Sequence, residues 1–580
     1  MKLIINLTNP YLPSLMRIIF SLVALLLLLS STVPAQNPTL VKDIAPFPYG
    51  SRPDNFTALG NQLLFAANNY IGSSTNRELF ISDGTTNGTQ LLLDIIPGNS
   101  SSSPDRMIAI GGKVYFSVGD NTSGVLVYRP WVSDGTIAGT YSLFPPAATA
   151  YGYSLKVPSL YRAQDYFVEY HGEVYFVGLK DSTNNNAVIF KTDGTTSGTG
   201  IAIELPNTTS LPNLMEAPVV FNDTIYFSGT TNGGAYENLY KSDGTSANTF
   251  LVKSNLYLYA KDGVESYDNK MYFHGENPFG QSGGEPWVTD GTASGTFELA
   301  DLRTDLTFGS NPSAFRRING KLVFLASPNS NSAVLYAVDS LFGNIVIPLS
   351  PVSPLSLAYT ADWLFTFNNT VLFKGGDAVN GYELWKSDGT IGGTGLLMDI
   401  NPGAGDGNPQ SYVEYCNEVY FTAQNPTTGT AQALYKTDGT QGGTFLLPGL
   451  ISNPTGGSGI TAKGVLNNVL YFSGQYDVNV GEELYSYAAS CATGSNEMAA
   501  AGTGEVLLFP NPAQTRIEAI FNKESAVKYS IFDILGHLIA SSDFQRVSQC
   551  IIDISNLESG IYFLEFDIDA NRKTVKLVKE

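Results

Sequence analysis

The chain has 580 residues, of which 14% are charged and 58 are glycine, and its 52 acidic against 32 basic residues give a net charge of −20. A surface of that sign repels phosphate backbones and anionic headgroups, which excludes nucleic acid and membrane surfaces as expected partners. Three cysteines, Cys416, Cys491 and Cys550, are too few for a disulfide scaffold; Cys416 with Cys491 is a conceivable pair after export, and no Cys-x-x-Cys is present.

Residues 1–35 read as a signal peptide. Lys2 and Arg17 flank a polar start, Ile18 to Leu29 is apolar, and Val33-Pro34-Ala35 ends in a small residue. The apolar run is short for a membrane span and no second one follows, so cleavage after Ala35 leaves no span. Removing Lys2 and Arg17 leaves 30 basic residues against 52 acidic ones, a mature charge near −22.

From residue 36 to 489 one phrase recurs, most fully at Glu383-Leu384-Trp385-Lys386-Ser387-Asp388-Gly389-Thr390 with Gly393-Thr394 after it. Its aspartate returns at Asp83, Asp134, Asp193, Asp243, Asp290, Asp388 and Asp438, with a worn copy at Asp339 and a ninth phrase near Tyr487 that lacks it. The steps between the eight aspartates are 51, 59, 50, 47, 49, 49 and 50 residues. A strand-like stretch ending in phenylalanine travels with it, at Phe65, Phe116, Phe176, Phe227, Phe273, Phe324, Phe373, Phe421 and Phe472. Nine copies at such a period predict a repeat architecture in which each unit buries its apolar face on its neighbours.

Each copy reads as four short strands. In the seventh these are Trp363 to Phe367, Thr370 to Lys374, Tyr382 to Ser387 and Leu396 to Ile400, which is the grammar of a β-propeller blade. Thr39 to Pro46 copies the fourth strand of later units, while the ninth unit stops after its third strand, Glu483 to Tyr487. That predicts an all-β, multi-blade propeller in which the N-terminal strand closes the last blade and removes the open edges. Nine copies leave one wide ring, two rings or one unit outside as alternatives, and one ring is the favoured reading. Residues 490–504 read as a small, polar linker. Residues 505–580 alternate again in seven or so short strands and predict a small Ig-like β-sandwich.

At the Asp-Gly-Thr phrase, the aspartate can fold back onto backbone N–H groups two residues on, and the glycine supplies the positive φ of a tight turn. A Ca²⁺ site is the competing use, but calcium takes six to eight oxygens and each loop offers one carboxylate. No cofactor or metal is therefore expected. The rings beside the phrase (Trp131, Tyr240, Trp287, Trp385, Tyr435) read as blade packing before a sugar platform. His171, His274 and His537 lie outside any ligand spacing, so no catalytic residue is assigned. Gly280-Gln281-Ser282-Gly283-Gly284 fits the bare nucleophile-elbow pattern but sits between two strands, where the elbow needs a strand-to-helix turn. Carboxylate pairs for glycoside hydrolysis stay open, because their separation is a three-dimensional fact. The loops between second and third strands, Asn68 to Asn76, Leu179 to Asn186, Gly229 to Glu237, Gly275 to Gly284, Gly375 to Gly381 and Gly474 to Gly481, vary, whereas the opposite face repeats the same turns. Binding is expected on the variable face.

The phrase resembles the E-L-W-x-x-D-G-T repeat family of exported bacterial proteins over about Thr39 to Tyr487, which implies a propeller-like fold and no agreed activity. The tail resembles the type A C-terminal sorting domain of type IX secretion. The blocks that carry this are Leu508-Phe509-Pro510-Asn511-Pro512-Ala513, Tyr529 to Gly536, Ile552 to Leu557 with Gly560-Ile561-Tyr562-Phe563, and Lys573 to Lys579. His537 stands where that family more often has a basic or polar residue. The resemblance implies a Bacteroidetes-type bacterium, the type IX machinery as partner, and a secreted or outer-membrane-surface location. A surface binding or adhesion module, with an unidentified glycan or protein ligand, is the expected function. A secreted glycan-active enzyme with carboxylates in the channel is the alternative.

Overall fold

The computed structural model describes residues 38–579 except 47–48, 72–73, 121–126, 145–153, 156–166, 181–185, 210–212, 278–282, 304–308, 330–331, 340–344, 350–363, 378, 425–431, 448–459, 461–462, 477–479, 490–506, 510–515, 534–536, 558–559 and 569–570. The expected signal peptide, the linker, and Pro510, Asn511, Pro512 and Gly536 lie outside the described residues, as do Ser282 and Cys491. The chain divides into two compact units, Met1–Cys491 and Ala492–Glu580.

Among its described residues the first unit is nine antiparallel sheets in chain order, each built first-second-third-fourth strand. The first sheet comprises Asp54–Leu59, Gln62–Ile71, Ser74–Ser82 and Gln90–Leu93. The ninth comprises Lys463–Leu466, Val469–Gly474 and Glu483–Tyr487, and its fourth strand is Thr39–Lys42 from the other end of the chain. That strand pairs Thr39 with Ser486, Leu40 with Tyr485 and, past a one-residue shift, Lys42 with Leu484. The third and fifth sheets carry an extra two-residue strand, Ser154–Leu155 and Tyr257–Leu258, beside the far end of their second strand.

Apolar burial joins the sheets in a circuit. All nine landmark phenylalanines are buried. Leu64, Ala66 and Ile81 of the first sheet pack with Val114 and Phe116 of the second, and equivalent clusters link every later neighbour. The last link returns to the start, since Leu466, Tyr471 and Leu484 of the ninth sheet share a core with Leu63, Phe65, Phe80 and Val41. The nine sheets therefore form one circle of blades. First strands make the close approaches between neighbours, 54–59 beside both 105–110 and 463–466, so they line the central channel.

Two of the expected variable loops are strand. In the first blade the ladder runs on through Asn68–Arg77 and Asn69–Asn76 to Ile71–Ser74. In the seventh it runs through Gly375–Glu383 and Gly376–Tyr382 to Asp377–Gly381. The seventh-blade glycines look like loop residues because they lack side chains. Their real task is to admit rings, since a Cβ on Gly375 would lie 2.5 Å from the Trp385 indole.

Among its described residues the second unit has five strands where seven or so short ones were expected: Leu507–Phe509, Arg516–Phe532, Leu538–Asp553, Gly560–Ile568 and Asn571–Lys579. The polar stretch between Ile520 and Val527 reads as a break, yet it only shifts the register of one long strand. The first half of that strand pairs with 507–509 and the second half with 560–568. Ile517 and Ala519 on one half and Val527 and Ile531 on the other reach one core with Leu564, Phe566 and Leu577.

Candidate functional site

One face of the circle is built of one turn, repeated. Asp83 Oδ1 accepts from Thr85 N (2.8 Å) and Thr85 Oγ1 (2.7 Å), Thr85 Oγ1 in turn accepts from Gly88 N, and Ser82 and Thr89 bridge the base. The same aspartate-to-threonine pair of bonds recurs at Asp134, Asp193, Asp243, Asp290, Asp388 and Asp438. These bonds, the threonine hydroxyl first, hold the carboxyls of Asp83, Asp134, Asp193, Asp243, Asp290 and Asp438 below the usual range. The carboxylate also explains the second glycine of the phrase: a Cβ on Gly88 would lie 2.0 Å from Asp83 Oδ1. The fourth blade has Asn248 there, and its amide bonds Asp243 Oδ2 instead. Among the described residues no group of three or more His, Cys, Asp or Glu is placed to hold a metal ion.

The glutamate that opens the phrase is a lock between blades. Glu383 Oε2 accepts from Ile400 N (2.7 Å), and its Oε1 accepts from Asn401 N and Gly407 N. Glu78 and Glu285 grip their own downstream connections in the same way, each adding a serine hydroxyl, Ser102 or Ser310, at 2.5 Å. Glu483 has no downstream blade. It reaches back to the N-terminal segment and accepts from Ile44 N, Ala45 N, Ser51 N and Ser51 Oγ. Burial, opposed by these donors, pushes the carboxyls of Glu285, Glu383 and Glu483 up to about 7.

The opposite, variable face is held by asparagines. Asn186 Oδ1 accepts from Asn207 Nδ2 and Asn213 N, both at 2.8 Å. Asn213 spans Leu205 O and Gly233 N at 3.0 Å each, and Asn232 Oδ1 takes Thr208 N at 2.8 Å. Asn186, Asn207, Thr208, Asn213, Asn232 and Gly233 thus form one hydrogen-bonded lattice, with Tyr236 and Leu214 exposed nearby in sequence.

Beside it, where the fourth blade meets the fifth, lies a cluster of rings and acids. Tyr257, Tyr259 and Asp262 come from the connection into the fifth blade, His274 and Glu276 from the end of its second strand Lys270–Glu276. Tyr259 touches two rings, Tyr257 at 4.1 Å between centroids and His274, stacked, at 4.2 Å. Its hydroxyl donates to Glu276 Oε2 and its N–H to His274 O. Burial, the bond to Glu276, and the charges of Glu276, Asp262 and Glu237 raise its phenol. His274, only 4% exposed, shares a 2.6 Å bond between Nδ1 and Asp262 Oδ2, and its Nε2 has no hydrogen-bond partner among the described residues.

Charged side chains gather near the join of the ninth, first and second blades. Asp54 pairs with Arg77, Asp105 with Arg106 at 3.6 Å, and Glu482 with Arg52 at 3.8 Å. Burial raises the Asp54 carboxyl against the pull of Arg77, and Asp105 and Glu482 add to the rise. Of the remaining histidines, His171 pairs with Asp223 at an exposed site and His537 with Asp533 in the second unit. The rings Tyr240, Trp287, Trp385 and Tyr435 are buried, with Trp131 half-buried against Phe116. Cys416 is disulfide-bonded.

Residues 507–580 match the family described as secretion system C-terminal sorting domain. That domain marks the chain for handling by the type IX secretion system and for export to the cell surface or extracellular space. No helix among the described residues is long and apolar enough to cross a membrane. No curated protein matches the chain. Similar solved structures include a puromycin-hydrolyzing peptidase of Mycobacterium tuberculosis, at 13% identity and TM-score 0.34 over 67% of this chain and 61% of that one. A structure from an analysis of two prolyl endopeptidases is similar at 11% and 0.36, over 66% and 56%. TolB from Acinetobacter baumannii is similar at 12% and 0.25, over 57% and 78%. The chain spans about three fifths of the length of the two peptidase structures, and no activity is transferred from them.

Proposed function

We propose that this chain is an exported binding module, a propeller of ELWxxDGT-type repeats that meets its ligand on the variable face. Residues 1–35 serve as its signal peptide and the terminal unit as its address. Adhesion and recognition of a glycan or protein are the roles this reading supports, without cofactor. The observation that carries it is the contrast between the faces. One face spends its side chains on seven copies of the same turn, whereas the other fixes dissimilar loops through Asn186, Asn207, Asn213 and Asn232. Dissimilar loops held rigid on a repeated frame cost little to order on binding. An array of glycans and surface proteins probed with the full chain tests this. Binding should fall in an Asn213→Ala, Asn232→Ala double variant and persist in Thr390→Val on the turn face; the reverse pattern rejects the reading.

The grouping of Asp54, Asp105 and Glu482 favours a second reading, a secreted glycan-active enzyme in which Asp54, with its raised carboxyl, serves as the acid. Release of reducing sugar from a polysaccharide panel, abolished by Asp54→Asn, is what that reading requires.

A further inference from the structure

The second unit buries apolar side chains on one face of its sheet, where Ile531, Leu564, Phe566 and Leu577 share a core. Phe532 and Phe563 follow Ile531 and precede Leu564, so strand alternation turns them to the opposite face. The two are paired with each other, and Phe532 is paired on its other side with Leu538. Between the pairs Ile531–Ala540 and Phe532–Leu538 the ladder passes over Ile539, a bulge that sets both Leu538 and Ile539 opposite Phe532. Leu538 is 58% exposed, Ile539 47% and Phe563 39%, and among the described residues of this unit no other large apolar side chain is exposed.

The rest of this face is polar. One row along it, Ser530 pairs with Ser541 and Glu565; in the next, Lys528 pairs with Asp543 and Asp567. An apolar spot confined to one end of a polar face marks a contact surface. We propose that Phe532, Leu538, Ile539 and Phe563 are the spot by which the type IX machinery takes hold of the chain, through an apolar surface of its own. This rests on the reading of the unit as the chain's address and adds where on the unit the address is read. A second copy of the chain is the other occupant open to such a spot, and its size argues against that. At about 150–250 Å² for a whole large side chain, the exposed fractions amount to roughly 300 Å², well under the ~800 Å² per partner of a stable dimer. A contact of that size suits a partner that captures the chain and lets it go.

Export of the full chain from a bacterium with a working type IX system, read as the share of chain found outside the cells, tests the assignment. Leu538→Ser and Phe563→Ser should each slow export about tenfold, as one apolar side chain withdrawn from a contact implies, with the chain held in the periplasm. Phe563→Leu stays apolar and should leave as the parent does, and so should Ser541→Ala on the same face. The side chains replaced are exposed, so the purified variants should melt with the parent. Equal export of the parent and both serine variants overturns the proposal. Loss of export that tracks a fall in melting temperature overturns it too, as does a parent that dimerises through Phe563 while Phe563→Ser is exported normally. A parent that leaves the cell without the type IX system, or does not leave at all, rejects the address reading itself.

Discussion

Removing the Glu483 carboxylate should open the circle at one place. In Glu483→Ala four donors, Ile44 N, Ala45 N, Ser51 N and Ser51 Oγ, lose their acceptor. At about 1 kcal/mol for each buried donor left bare, the low end of the usual range, the docked N-terminal segment loses about 4 kcal/mol. That is nearly three factors of ten in its opening equilibrium. Hydrogen exchange followed by mass spectrometry reads this directly. Amides of 39–46 and 483–487 should exchange several hundredfold faster, while blades three to six keep their protection. Glu383→Ala is the matched control, because it strips donors at Ile400, Asn401 and Gly407 from a connection that stays tethered on both sides. If Glu383→Ala loosens the N-terminal segment as much as Glu483→Ala does, or if neither does, the lock is not what closes the circle.

Stability should peak at mildly acidic pH. Glu285, Glu383 and Glu483 titrate near 7 in the fold against 4.5 for a free side chain, so their contribution is full below about 4.5 and is lost as pH rises through about 7. The turn aspartates have lowered values, so theirs is present above 3.8 and lost in stronger acid. A melting temperature that falls from pH 5.5 to 8.5, and falls less when the three glutamates are glutamine, is expected; a flat or rising profile refutes it. Gly393→Ala should cost about 1–3 kcal/mol in denaturant unfolding, because its Cβ would lie 2.0 Å from Asp388 Oδ1. Its neighbour Gly392 has nothing within 4 Å, and Gly392→Ala should change stability by less than about 0.5 kcal/mol. With Cys416 in a disulfide, two of the three cysteines are consumed, and thiol titration of the denatured, unreduced chain should return a single thiol.

What could be read in the sequence was what lies close along it. The bonds that shape the Asp-Gly-Thr turn, those among Ser82, Asp83, Thr85, Gly88 and Thr89, fall within eight residues, so that chemistry is written out in order. The complementary ends were equally legible, since Leu40 to Ile44 repeats a strand that Glu483 to Tyr487 lacks. The glutamate of the same phrase was visible as a repeat but mute about its task. Its donors lie 17 to 25 residues away in connections that differ from blade to blade. Asn238 shows the signal that was there to find: it occupies the same place in the fourth blade and makes the same bond, from Asn255 N at 2.9 Å and 17 residues on. The ring-and-acid cluster offered no such signal, because Tyr257-Leu258-Tyr259 belongs to a connection found once. Spacing also set His274 aside, since a 3-10 turn brings Asp262 to it across a gap no ligand motif describes.

The strand that completes the last sheet is also the earliest part of the propeller to be synthesised. Thr39 must wait through more than four hundred residues for Ser486, so during translocation the molecule passes through an arc with two raw ends. Those ends expose Leu63, Phe65 and Phe80 on one side and Leu466, Tyr471 and Leu484 on the other, each of which matches the other and also the same surface of a second arc. Crowded arcs can join head to tail into chains, and dilution or a chaperone at the ends favours the monomeric circle.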